Sequence, residues 1–171
     1  MYPSEINTYN QRPSMTSENL PVKILIIDDE QMSVVMLEHL LRKTGYTRIN
    51  GVTDSREAID TCATFDPDLI LLDLMMPNID GYTILEKLRA AEGSETFLPI
   101  VVLTSDATEA AKERALEAGA TDFLVKPVSR TEALLRIRNL LETRRLHLTL
   151  ENQRAALEEA VRQRAVELRG S

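Results

Sequence analysis

The chain has no tryptophan, one cysteine and only six glycines among its 171 residues. The lone thiol, Cys62, excludes an intramolecular disulfide framework and fits a reducing compartment, so a cytoplasmic protein is expected. No apolar run approaches the roughly 20 residues that a membrane helix needs. The amino terminus lacks the basic-then-apolar pattern of a secretory signal. The glycines never gather into a Walker-type phosphate loop. His39 and His147 are far apart in sequence, which argues against a shared metal. Positive charge is short as well: 20 Lys and Arg against 27 Asp and Glu give a net charge of −7. Nucleic acid is therefore not an expected partner, and neither is a membrane.

What is present is a core. Hydrophobic residues make up 43% of the chain, too many for a disordered polymer. Residues 1–20 are polar, with Pro3 and Pro13, and read as a flexible arm. Beyond them come three short, wholly apolar runs, Ile24–Ile27, Leu69–Leu72 and Ile100–Leu103. Runs of this kind suit strands buried on both faces of a parallel sheet. Thr47–Thr53 and Asp122–Val125 are more polar and read as edge strands. Helical stretches separate them. Val34, Leu37, Leu40 and Leu41 repeat at helical spacing ahead of a terminating Gly45. Asp54 and Glu57 are spaced as a capping box for a second helix that ends before Pro67. Tyr82, Leu85 and Leu88 mark a third. Thr108–Ala118 is a fourth, alanine-rich and with Leu116 as its one large anchor.

Five alternations of strand and helix imply right-handed crossovers and a doubly wound α/β fold. With the three most apolar strands central, the order is 2-1-3-4-5, the flavodoxin-like arrangement. The fifth helix stands apart. Ser129 and Glu132 are spaced to cap it, and nothing from Arg130 to Arg169 breaks it. Continuous, it would run about 60 Å at 1.5 Å per residue.

In such a sheet, ligands bind beyond the carboxyl ends of the strands. Asp28 and Asp29 follow the first strand, Asp73 the third, Thr104 the fourth and Lys126 the fifth. Each alone has an ordinary reading, as a helix cap or a surface lysine; together they place three carboxylates, a hydroxyl and an ammonium on one rim. Two carboxylates about 4 Å apart repel by roughly 4 kcal/mol at an effective dielectric of 20. The cluster therefore calls for a cation, and oxygen-only donors suit Mg²⁺. Asp73 is the natural nucleophile, because an aspartate can form an aspartyl phosphate.

At this point the residues resemble a known family. Ile27-Asp28-Asp29-Glu30, Leu72 to Pro77 with Asp80-Gly81, Leu103-Thr104-Ser105 and Phe123 to Pro127 are similar to the motifs of a response-regulator receiver domain. The resemblance implies that Asp73 accepts phosphate from a histidine kinase or phosphotransfer protein. It implies that Asp29, Asp73 and the Met75 backbone carbonyl ligate Mg²⁺, with Asp28 acting through water. Lys126 would pair with the phosphoryl group, the Lys126-Pro127 peptide would be cis, and Thr104 and Phe123 would be the switch residues. Such a protein is a signalling switch with slow self-dephosphorylation, not an enzyme acting on external substrates.

Two other classes fit less well. A flavin carrier of this fold would meet repulsion between its phosphate and Asp28-Asp29-Glu30. An aspartate-nucleophile phosphohydrolase would carry a second Asp where Met75 stands. The expected organisation is an arm over 1–20, a receiver over 21–143 and a helical extension over 144–171. Leu150, Leu157, Val161 and Leu168 share a stripe in that extension, interrupted by Arg154 and Arg164, which suggests a parallel coiled-coil homodimer. The alternative is a linker to a cyclic-dinucleotide phosphodiesterase, diguanylate cyclase or phosphatase module.

Overall fold

The computed structural model describes residues 22–77, 79–91 and 97–170. The arm expected over 1–20 lies outside them. The chain runs β1 (Lys23–Ile27), α1 (Gln31–Thr44), β2 (Arg48–Val52), a short 3-10 turn (Ser55–Glu57), α2 (Ala58–Phe65), β3 (Leu69–Asp73), α3 (Gly81–Ala91), β4 (Ile100–Thr104), α4 (Glu109–Glu117), β5 (Asp122–Val125) and α5 (Arg130–Arg169). All strand pairs are parallel and the order is β2-β1-β3-β4-β5, as the burial pattern of the strands implied.

Period-two alternation splits the apolar strands between two cores. Ile24, Ile26, Leu69, Leu71, Val101, Leu103 and Leu124 face α1 and α5. Leu25, Ile27, Ile70, Leu72, Ile100 and Val102 face α2, α3 and α4. β3 and β4 are buried along their whole lengths. Gly45 ends α1 in the left-handed conformation, with φ 112°, a geometry glycine adopts without strain.

Three local expectations are corrected. Asp54 accepts a hydrogen bond from the Arg56 amide and opens the 3-10 turn, while Glu57 makes no capping bond to α2. A neighbouring guanidinium competes for Asp54, so the reciprocal box does not form. Ser129 accepts from the Glu132 amide, but the Glu132 carboxylate turns to Arg136 instead of back to the cap. Leu116 does not anchor α4; it is exposed, and the only buried residue of that helix is Ala115.

The long helix is continuous from Arg130 to Arg169. Ala133, Ile137 and Leu141 are buried against the sheet. Arg144 extends the docking by another turn: its guanidinium reaches Asp68 at 3.1 Å and the Phe97 carbonyl. Leu150, Leu157, Val161 and Leu168 are all exposed.

Candidate functional site

The carboxyl ends of four strands converge on one rim. Asp28 follows β1, Asp73 ends β3, Thr104 ends β4 and Lys126 follows β5. Strand parity sorts them. Asp28 continues the Ile24/Ile26 row, Asp73 the Leu69/Leu71 row and Lys126 follows Leu124, so these three rows share one face of the sheet. Thr104 continues the Ile100/Val102 row, the face that also holds Phe123 and α4.

Asp28 and Asp73 are buried, whereas Asp29 is exposed. The Lys126 ammonium sits 3.3 Å from Asp73 Oδ2 and 3.7 Å from Asp28 Oδ2, straddling the two buried carboxylates. One oxygen from each of Asp28, Asp29 and Asp73 lies within 4.8 Å of the others. Asp28 Oδ1 accepts the Glu30 amide at 3.0 Å, but its buried Oδ2 has no hydrogen-bond partner among the described residues. Burial pushes the Asp28 carboxyl up to about 6; the Glu30 amide opposes the shift and the Asp73 charge adds to it. A buried oxygen left short of partners beside two further carboxylates is what a hard divalent cation would satisfy. The donor set fits such an ion.

The remaining contacts come from the backbone. The Met75 amide donates to Asp73 Oδ1 at 3.0 Å and holds that carboxylate at the end of its strand. The Thr104 hydroxyl accepts the Asp106 amide at 3.1 Å, which leaves its own proton to donate. Sequence reasoning missed both amides, because a backbone N–H leaves no residue signature. The role of Gly81 is steric. A Cβ there would lie 2.5 Å from Leu74 Cα and 2.9 Å from the Asp73 carbonyl. Only glycine lets α3 start so close behind the acceptor strand. Met75 presents its side chain to solvent, and Phe123 is half-buried on the α4 face. The Lys126-Pro127 peptide is cis.

Comparison with known proteins points the same way as this geometry. The profile of the response regulator receiver domain matches residues 24–138. The chain is 38% identical over 119 residues to the alkaline phosphatase synthesis transcriptional regulatory protein PhoP of Bacillus subtilis, a match covering 70% of this chain and 48% of PhoP. It thus spans about half the length of the curated relatives it matches. A crystal structure described as a response regulator from Chloroflexus aurantiacus superposes with a TM-score of 0.66 at 36% identity, covering 72% of this chain and 99% of that one. A protein described as a two-component response regulator with a GGDEF domain superposes with a TM-score of 0.65 at 28% identity, over 71% of this chain and 49% of its own.

Proposed function

This chain belongs to the response regulator receiver family, and from that premise we propose that Asp73 takes the phosphoryl group. Receiver domains are switches phosphorylated on an aspartate in two-component signalling. The observation that supports Asp73 is its surroundings: a buried carboxylate at the end of a wholly buried strand, 3.3 Å from a lysine ammonium and beside two more carboxylates.

An Asp73 oxygen attacks the phosphorus of a phosphohistidine on a histidine kinase or phosphotransfer protein. The P–N bond breaks, its electron pair leaves with the imidazole, and an acyl phosphate remains on Asp73. Asp29, Asp73 and the Met75 carbonyl would hold Mg²⁺ directly, with Asp28 acting through water; when bound, the ion offsets charge on the phosphoryl oxygens. Lys126 supplies a fixed positive charge to the same oxygens, and Thr104 donates its hydroxyl proton to one of them. Movement of Thr104 frees space on the face it shares with Phe123, which can then turn inward. Met75 is apolar and cannot orient a hydrolytic water, so the acyl phosphate is lost slowly.

Treatment with acetyl phosphate and Mg²⁺ should add one phosphoryl mass to the protein, and Asp73→Asn should lose that gain entirely. Modification of Asp73→Asn at the wild-type rate refutes the assignment.

Output runs through the helical extension, and the unit boundary lies near residues 143–144. Its exposed Leu150, Leu157, Val161 and Leu168 favour a homodimer, since an isolated helix of this kind is marginal in water. Arg154, at the seam, is already paired with Glu151 at 2.9 Å and Glu158 at 2.8 Å on its own helix, which limits the charge it brings into a dimer. The half-length match to larger regulators favours a second reading, in which the helix leads to a catalytic module such as a diguanylate cyclase. Sedimentation of the full chain against Leu157→Glu separates the two. A dimer lost in the variant supports pairing through the stripe; two monomers at high concentration, with and without beryllofluoride, leave the helix as a linker.

A further inference from the structure

Helix α4 has almost nothing under it. Ala115 is its one buried residue, and an alanine removes little apolar area from water. Its carboxyl end is nevertheless fixed. The Arg89 guanidinium, from α3, donates to the Gly119 carbonyl at 2.7 Å and to the Thr121 hydroxyl at 3.0 Å. The Thr121 amide in turn bonds the Ile100 carbonyl at 2.8 Å. The helix is thus pinned at one end and lightly held along its length.

Two cations do the holding. Arg114 lies over the Tyr82 ring, 3.8 Å from guanidinium carbon to ring centroid, and reaches Asp80 at 3.6 Å. Asp80 caps α3 by accepting the Tyr82 amide at 3.2 Å, so Arg114 ties α4 to the segment that leads away from Asp73. Two residues earlier, the Lys112 ammonium stands 4.9 Å above the ring of Phe123. Phe123 is half-buried on the face that Thr104 shares. An exposed ion pair alone does little, but both cations also sit over aromatic faces, where the attraction survives better.

We propose that Arg114 and Lys112 form a latch that holds α4 and Phe123 in the conformation of the unphosphorylated chain. Loss of the latch shifts the receiver toward the conformation that phosphorylation favours. The proposal rests on Asp73 as the acceptor. Its distinguishing feature is sign: a cation that merely stabilises the fold would, when removed, leave ligand binding unchanged or weaken it. A latch removed raises the population of the binding-competent state, and apparent affinity rises with that population.

The probe is beryllofluoride with Mg²⁺, titrated into the full chain and followed by fluorine NMR. Arg114→Met and Lys112→Met keep helix propensity and length while removing the charge. Each should bind beryllofluoride about two- to five-fold more tightly than wild type, given contacts of this size. The Arg114→Met and Tyr82→Leu changes should be non-additive, because they break one contact. Unchanged or weaker binding in both charge variants, with helical circular dichroism intact, overturns the latch. Failure of the wild type itself to bind beryllofluoride overturns the Asp73 reading, which separates the two failures. If Arg114→Met proves unstable, Lys112→Gln carries the same test alone.

Discussion

Asp28 and Asp68 are the same residue at opposite ends of one sheet, and their surroundings are opposite too. Asp68, ahead of β3, is fully engaged. One oxygen accepts the Lys23 amide at 2.8 Å, the other accepts Arg144 at 3.1 Å, and its own amide donates to the Lys23 carbonyl at 2.7 Å. Asp28, after β1, is fully buried, with one oxygen that has no hydrogen bond among the described residues and a second carboxylate beside it. The amino end of the sheet is closed with hydrogen bonds inside the chain. The carboxyl end is left short of positive charge, since one lysine faces two buried carboxylates and a third, exposed one. The amino end holds the fold and docks α5; the carboxyl end carries an unmet need that a cation and a phosphoryl group can fill. The difference is one of purpose as much as chemistry, because a site that satisfied itself would have no reason to bind.

The largest expected effect is at the closed end. Arg144 has only 12% of its side chain exposed and joins Asp68 to the Phe97 carbonyl. Arg144→Ala should lower stability by about 2 to 3 kcal/mol, as expected for hydrogen bonds to charged groups at a largely buried site. Asp68→Ala should cost a similar amount and should be non-additive with it. Urea unfolding of the two single variants and the double variant measures both. Wild-type stability in Arg144→Ala would mean that the amino end is no more committed than the rest of the surface.

The two ends also differ in how far the sequence announced them. Asp28, Asp29, Asp73 and Thr104 sit at the ends of uniformly apolar runs, and a charge directly after Leu69–Leu72 is conspicuous. The strand order was legible for the same reason, since the wholly apolar runs of β1, β3 and β4 set them in the middle. The amino-end clamp was invisible. Asp68 and Arg144 are 76 residues apart, and each looks like a solvated charge. Arg144 in particular falls at the expected edge of the receiver, where apolar spacing fades and charge spacing says nothing about a partner. The exposure of Leu116 was missed because a lone leucine in an alanine-rich helix reads as its anchor. In fact Ala115, one residue earlier, takes the inward position. Periodicity finds faces that bury much and is blind to faces that bury little.

A smaller effect, with the opposite sign, is expected at the open end. Asp28→Asn should raise the stability of the metal-free protein by about 1 to 2 kcal/mol, because it removes a desolvated charge and turns a repelling neighbour of Asp73 into a hydrogen-bond donor. The pH dependence gives this a shape. The folded Asp28 carboxyl is pushed up to about 6, above its ordinary 3.8. Between those values the folded chain holds a proton that the unfolded chain has released. Raising the pH through that window therefore costs the wild type stability, and the full cost is in place above about pH 6. Asn has no such proton. The stability difference between Asp28→Asn and wild type should be near zero at pH 4 and reach its full value by pH 7, with carboxylates remote from Asp28 cancelling between the two chains. Saturating Mg²⁺ at pH 7.5 should reverse the order, since the ion stabilises the wild type and finds fewer charged oxygens in the variant. A difference that stays flat from pH 4 to pH 7, or a variant less stable than wild type without metal, would show that Asp28 is as well satisfied as Asp68. The contrast between the two ends of the sheet would then be lost.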